Sequence, residues 1–356
     1  MKRYRILKTT VVALIVIVLA AVVGGWTMFR TQLRAANTIR KLEDDFYYME
    51  YVGDYGFSDF LRQGGADSDE ELANYIAGFL SHGFYKPNPQ KGTYGCSTID
   101  ICAPEGDALF GRNFDWQNCT AMVVTTRPRD GYASISTCNL DFLGFGEGWL
   151  PEGMANKVMA LAAVYVPLDG MNEKGLCVAD LVIDDGTQTH QKTDKPELTT
   201  TSAIRLLLDR AATVNEAVAL LEQYDMNSSA GMQHHLAISD EEGRSVVVEY
   251  VEDNMIVTDA KVVTNFYLAA GDYFGVGSEQ SQYRYKYLRT LLEDCGGVMT
   301  EEEVMKALEM VSQKNYNSEY DATQWSVVFN KSDGTAEYCL REEYTKSYTF
   351  HMSKKQ

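Results

Sequence analysis

The chain has 356 residues, 45% of them hydrophobic, and a formal net charge of −18. A phosphate-binding surface needs clustered Lys and Arg, so this acidic balance argues against nucleic acid or anionic lipid as a partner. Beyond the first eight residues no such cluster occurs, and the length from Cys96 to Gln356 suits one large domain with its own core.

Residues 1–8 are basic, with Lys2, Arg3, Arg5 and Lys8, and residues 9–29 carry a continuous apolar run that continues through Gly24, Gly25 and Trp26 to Phe29. At helical rise this run spans roughly 30 Å, enough for one membrane crossing. It reads as an uncleaved transmembrane anchor. A cleaved signal is the alternative, although the run exceeds a usual signal core and Thr27-Met28-Phe29-Arg30 is not a small-x-small cleavage site. The basic residues place the N-terminus inside, while Arg30, Arg34, Arg40 and Lys41 on the far side weaken the asymmetry. The expected location is the cell membrane, single-pass, with the remainder outside the cytoplasm, or secreted if the segment is cleaved.

Residues 30–95 are neither low-complexity nor linker-like. They contain Phe46, Tyr47, Tyr48, Tyr51, Tyr55 and Phe57, and then Ser68-Asp69-Glu70-Glu71, a capping box that predicts a helix running to Phe84. Pro87, Pro89 and Gly92 follow, an extended loop delivering Gly95-Cys96. The economical reading of 30–95 is a propeptide, with a catalytic domain over 96–356.

Around Cys96 the sequence predicts a hairpin. Pro104-Glu105-Gly106-Asp107 is a turn signal between two strand-like runs, and closure by Ala103 and Ala108 sets Asp115 opposite Cys96. Arg112, three residues from Asp115, then points to the other face, so both serve one site only if a bulge or strand end intervenes, for which Gly111 is a candidate. A cysteine freed at its own amino terminus carries nucleophile and base on one residue, and this trio suggests an amidase. An ordinary surface hairpin with a buried cysteine fits the spacing equally.

Strands are predicted over 121–126, 132–138, 159–166, 175–183, 235–238, 244–250, 255–264, 325–329 and 336–340, with turns at Asp253-Asn254 and Ser332-Asp333-Gly334. Helices are predicted over 201–212, from Thr213 through Gln223, over 280–292, and from the Thr300 capping box onward. Strands, a helical block, more strands, then helices and a final hairpin read as α+β with antiparallel sheets covered by helices. Trp116, Phe142, Leu143, Phe145 and Trp149 are candidates for an apolar substrate pocket, or equally for core.

The other cysteines, Cys102, Cys119, Cys138, Cys177, Cys295 and Cys339, show no Cys-x-x-Cys spacing, so no metal site is expected, and their disulfide pairing is open. None of His82, His190, His234, His235 and His351 sits in a Cys-His signature, and each reads as surface or hairpin structure. Gly-x-Ser-x-Gly is absent, and Gly275-Val276-Gly277-Ser278 follows no strand-to-helix fingerprint, so neither a serine elbow nor a dinucleotide cofactor is expected.

The stretch from Cys96 to Trp116, with Cys-Ser-Thr and Phe-Gly-Arg-Asn-Phe-Asp-Trp, resembles the choloylglycine hydrolase family of linear amide C–N hydrolases, which includes bile salt hydrolases and penicillin V acylases. Asn172-Glu173-Lys174-Gly175-Leu176, the run from His235 through Asp240 to Glu249, Val263-Thr264-Asn265 and Arg284-Tyr285 extend the resemblance to about Tyr287. It does not cover the first 95 residues.

The resemblance implies the αββα sandwich of N-terminal nucleophile hydrolases and a cut between Gly95 and Cys96, autocatalytic or by another protease. It implies Cys96 as nucleophile, Asp115 holding its α-amine, and Arg112 easing the thiolate. Asn265 and a backbone N–H near Val182 would form the oxyanion hole, with Arg284 supporting Asp115. No cofactor is implied, and the expected partner is a small N-acyl amide with a fatty or aromatic acyl group. The part after Cys96 is shorter than bile salt hydrolases and lacks the central insertion tied to their tetramer, so that assembly is not carried over and the oligomeric state stays open. Two alternatives remain: an acyltransferase using the same thioester, and an unprocessed membrane-anchored binding protein.

Overall fold

A computed structural model describes residues 29–81, 95–143, 150–314 and 322–352. The apolar run 9–29 thus lies outside the described residues except for Phe29, as do residues 82–94, Phe145 and Trp149. Among the described residues no helix is long and apolar enough to cross a membrane.

Two sheets face each other. Strands β1 (Arg40–Glu43), β2 (Phe46–Val52), β5 (Ala121–Arg127), β6 (Ser134–Asn139), β7 (Asp169–Asn172), β8 (Cys177–Ile183), β11 (Gln233–Ser239), β12 (Ser245–Val251) and β13 (Asn254–Asp259) form a nine-stranded sheet in that order. The second sheet runs β14 (Val262–Thr264), β3 (Gly95–Cys102), β4 (Ala108–Trp116), β15 (Ala322–Asn330), β16 (Thr335–Leu340) and β17 (Glu343–His351). Short strands β9 (Glu197–Thr199) and β10 (Asp225–Asn227) pair apart from both.

Between the sheets lies one apolar layer, with Phe110, Phe114, Val123, Ile135, Leu181 and Trp325 among its members. Helices Thr200–Arg210 and Val214–Leu221 cover the outer face of the nine-stranded sheet, and helices Glu279–Asp294 and Glu301–Met310 cover the other. The four layers are helix, sheet, sheet, helix, the expected αββα arrangement. Caps read from sequence hold here: the Thr213 side chain accepts from Glu216 N–H, and Thr300 forms a capping box with Glu303.

Residues 30–81, expected to be propeptide-like, fold into this body. β2 pairs in parallel with β5 over seven residues, Phe46↔Ala121 to Val52↔Arg127. Helix Asp69–Ser81 begins where expected, with Glu71 N–H donating to Ser68 Oγ at 3.4 Å, though the Glu71 carboxylate returns to Asp67 N–H rather than Ser68. At Gly65 (φ +79°) an added Cβ would lie 1.8 Å from the Glu197 carbonyl oxygen, so only glycine lets the two backbones meet.

Several elements depart from the sequence reading. Residues 159–166, predicted as a strand, form the end of helix Met154–Ala160 and the 3-10 helix Leu161–Tyr165, of which the 3-10 helix is buried throughout. A short apolar run has the same signature in either state when every side is covered. The predicted 255–264 strand is two strands, because the chain crosses from the nine-stranded sheet to the other between Asp259 and Val262. The final hairpin gains β17.

The β3–β4 register differs by one from expectation. Cys102 pairs with Ala108 and Cys96 with Phe114, so Asp115 faces Gly95. The loop holds five residues, closed by Ala103 N–H donating to Asp107 O at 2.7 Å. Nor does Gly111 make a bulge: it pairs regularly with Ile99 and Val328, and its missing Cβ admits Val304 and Leu308 of the covering helix.

Candidate active site

Cys96 lies on β3 beside the open end of the hairpin, 3% exposed, in the layer between the sheets. Alternation along β4 sends Arg112, Phe114 and Trp116 into that layer, while Asn113 and Asp115 face the helices, where Asn113 Nδ2 donates to Leu308 O at 2.7 Å. Arg112 and Asp115 are therefore on opposite faces, as their spacing requires. The irregularity that serves both lies in the neighbouring strand. A bulge at Gln324 of β15 turns Thr323 toward Asp115 and Trp325 toward the opposite face, where its indole donates to Asp169 at 2.9 Å.

On the inner face, Arg112 Nη1 lies 3.5 Å from Cys96 Sγ and donates to Asn113 O at 2.7 Å. Its Nη2 donates to Asp180 O at 2.9 Å, and Nε is paired with Asp169 at 2.7 Å. Asp169 is a site residue that the sequence did not reveal; it holds a fully buried guanidinium in place. Burial pushes the Cys96 thiol up to about 11, outweighing Arg112 and the Asp115 backbone N–H, which favour the thiolate; the Asp115 and Asp180 charges add to the rise. In the uncut chain the thiol is neutral at pH 7.

On the outer side, one arginine ties the remaining residues together. Arg284 projects from helix Glu279–Asp294 on the buried face it shares with Ser281 and Leu288. Its Nη1 donates to Cys96 O at 2.6 Å and Asp115 Oδ2 at 3.2 Å, and its Nη2 to Asn265 Oδ1 at 2.9 Å. Asp115 also accepts from Gln313 Nε2 at 3.0 Å and Thr323 Oγ1 at 2.6 Å, two partners without any local motif. Asn265, just past β14, accepts the Cys96 N–H on Oδ1 at 2.5 Å and donates through Nδ2 to Val182 O at 2.7 Å. With Gly95 and Cys96 joined by a peptide bond, Asn265 receives the Cys96 N–H, and the Val182 group in contact is its carbonyl.

Cys96 opens onto a cavity of about 510 Å³, lined chiefly by apolar side chains. Of the expected pocket residues, Trp116, Phe142 and Leu143 line it, with Phe142 edge-on to Trp116 at 4.7 Å between ring centroids. His234, read from sequence as surface or hairpin structure, sits on the hairpin strand β11 and is buried in the same wall: Nδ1 lies 2.8 Å from Asp180 Oδ1 and Nε2 2.9 Å from Ser229 O. Burial, which disfavours the imidazolium, is outweighed by Asp180 and by the Ser229 carbonyl, so its pKa is raised. His235 is buried as well, against Glu249 at 3.1 Å. All seven cysteines are free thiols.

Residues 96–267 match the model of the linear amide C–N hydrolases, choloylglycine hydrolase family. A penicillin V acylase of Pectobacterium atrosepticum is 33% identical over 110 residues, 27% of this chain and 29% of the relative, so under a third of that protein is matched. Among solved structures, a variant conjugated bile acid hydrolase of Clostridium perfringens is 18% identical, with 73% of this chain and 93% of that one covered at a TM-score of 0.54. A penicillin V acylase of Agrobacterium tumefaciens is 17% identical, with 73% and 87% covered at 0.50. At such identities the two structures speak for the fold alone, and what the matched sequence shows is a likeness: residues 96–267 of this chain resemble the linear amide C–N hydrolases of the choloylglycine hydrolase family.

Proposed function

We propose that this protein is a cysteine amidohydrolase that splits the linear C–N bond of an N-acyl amide with an apolar acyl group, through a thioester on Cys96, after a cut between Gly95 and Cys96. The observation that carries this reading is Arg112 Nη1 at 3.5 Å from a cysteine sulfur that opens on an apolar cavity. Arg284 and Asn265, which grip the carbonyl oxygen and N–H of that same cysteine, add to it.

The cut proceeds by attack of Cys96 Sγ on the Gly95 carbonyl carbon; the amide nitrogen leaves as the Cys96 amine once protonated, and water hydrolyses the Gly95 thioester. One water is consumed, giving a Gly95 carboxylate and a free Cys96. The α-amino group, with an ordinary pKa of about 7.7, is then unprotonated in a substantial minority of molecules near neutral pH and can take the thiol proton. No histidine is needed.

In turnover the thiolate adds to the substrate's acyl carbon, and the oxyanion is met by Asn265 Nδ2, exchanged from Val182 O, and by a backbone N–H near Val182. The amine product leaves with the proton held by the α-ammonium, and water, deprotonated by the α-amine, releases the carboxylic acid. Arg112 lowers the cost of the thiolate, and Asp115, held by Arg284, Gln313 and Thr323, balances the α-ammonium. The cavity favours an apolar acyl group, with Trp116, Phe142 and Leu143 along its wall.

The test is release of free acid from N-acyl amides of varied acyl length by wild type and Cys96→Ala. Wild type should hydrolyse them, and the variant should fall by about 10³-fold or more. Equal rates in both, or no turnover with an unreactive Cys96, would overturn the reading and favour a binding protein. Amide formation with an added amine in place of free acid would redirect it to acyl transfer.

A further inference from the structure

A discarded leader leaves a finished protein behind, but removing residues 30–81 from this fold would not. β2 lies between β1 and β5 within the nine-stranded sheet. Tyr47, Met49 and Tyr51 of β2, with Tyr55, Phe57 and Phe60 just after it, are all buried in the same cluster as Leu161, Val164 and Tyr165. Polar ties cross the same boundary. Tyr55 OH donates to the Asp209 carboxylate at 2.6 and 2.7 Å, Tyr165 OH donates to Tyr55 O, and Ala230 N–H donates to Asp69 Oδ2 at 2.6 Å. Loss of the segment would strip the sheet of two strands, expose a large apolar face and leave buried polar groups unpaired.

The segment also reaches the cavity. On helix Asp69–Ser81, Leu72, Ile76 and Leu80 recur at a spacing of four, so they share one face, and all three line the space onto which Cys96 opens, with Ala73 and Ala77 beside them. They are 2%, 5% and 6% exposed. Val158, Met159 and Ala162 line the cavity as well, the last two from the 159–166 run that the sequence pattern predicts as a strand. At about 30 Å³ per methylene-sized group, the share of one water, some 510 Å³ holds on the order of fifteen such groups, the scale of a long acyl chain.

We propose that the segment preceding Cys96 is a retained, specificity-determining part of the enzyme: cut or uncut at Gly95, it stays bound, and helix Asp69–Ser81 forms the wall that sets which acyl chains fit. This rests on the amidase reading above. Ile76, in the middle of the helix face, is its measuring residue. A larger side chain there shortens the cavity, and a smaller one lengthens it.

The experiment uses the full chain and has two readouts. First, the purified protein is run on native size exclusion and the peak is weighed by intact mass; a fragment ending at Gly95 should elute together with the chain beginning at Cys96. Second, kcat/KM is measured for short- and long-chain N-acyl amides with wild type, Ile76→Trp and Ile76→Ala. The long-to-short ratio should fall by about tenfold in Ile76→Trp and rise in Ile76→Ala. A merely structural residue would lower both substrates together. Separation of the fragment with an unchanged ratio, or equal ratios in all three proteins, overturns the proposal. Calorimetric binding of a long-chain fatty acid separates the two readings: if wild type turns over no amide yet binds the acid more tightly than Ile76→Trp, the amidase reading falls and the wall stands.

Discussion

Arg284 Nη1 donates both to the carbonyl oxygen of Cys96, at 2.6 Å, and to the Asp115 carboxylate, at 3.2 Å. The carboxylate therefore acts on the cysteine's end of β3 through an intermediary on a helix, and not from the opposite position on the hairpin. The consequence is that Asp115 and Arg284 behave as one unit. Asp115→Asn and Arg284→Gln should each lower kcat by about 10- to 100-fold, and the double variant should cost little more than either alone. Rates from single and double variants in one series check this; additive losses would show that the two act separately.

Arg112 and Asp169 make a buried ion pair with both side chains fully shielded. Arg112→Ala strands the Asp169 carboxylate and should cost about 3–5 kcal/mol of stability. Adding Asp169→Asn should restore part of that loss, since the uncompensated charge is removed. Urea unfolding of the three proteins measures it. Activity should not return with stability, because the group beside Cys96 Sγ is still missing.

The Cys96 thiol is pushed up to about 11 in the uncut chain. A raised acid is neutral below its pKa, so alkylation of an uncut protein should be slow at pH 7 and climb only in strongly alkaline solution. In cut protein the α-amine takes the proton, and reactivity should rise through the ordinary α-amino range near about 7.7. The alkylation rate against pH, for the two forms, reads the difference.

His234 faces Asp180 and the Ser229 carbonyl, with Asp69 nearby, and its pKa is raised above 6.5. A raised folded pKa means that the folded state holds the proton more tightly than the unfolded chain. The stabilisation is complete below about pH 6.5 and is lost as pH climbs through the folded value. His234→Gln should therefore flatten stability between mildly acidic and alkaline pH. Thermal unfolding of both proteins across that range gives the comparison.

Gly111 owes its place to packing. An added Cβ would meet Val304 Cγ1 at 2.8 Å and Ile99 Cγ2 at 3.0 Å. Gly111→Ala should cost about 1–3 kcal/mol by overpacking between β4 and helix Glu301–Met310. Denaturant titration tests it, and a loss near zero would mean that the helix moves freely off the sheet.

What the sequence made legible follows from which interactions are local. Cys96, Arg112, Asp115, Asn265 and Arg284 were all readable from motifs, and the structure gathers them around one cysteine. The hairpin register was off by one because nothing in Pro104-Glu105-Gly106-Asp107 announces that Ala103 joins the loop. Asp169, Gln313 and Thr323 carry no motif; they reach the site only through strand order and the bulge at Gln324. The role of 46–52 as a sheet strand was hidden for the same reason, since its partner 121–127 is remote in sequence and parallel. The hairpin that carries His234 and His235 was readable, but their burial was not, because burial with a carboxylate partner is a tertiary property.

N-terminal sequencing with intact mass, on purified wild type beside Cys96→Ala, tests the central claim most directly. The account predicts a new chain beginning at Cys96 in wild type and an intact Gly95–Cys96 bond in the variant. A fully active wild type whose Gly95–Cys96 bond is uncut would contradict it, because the α-amine proposed as the base would not exist.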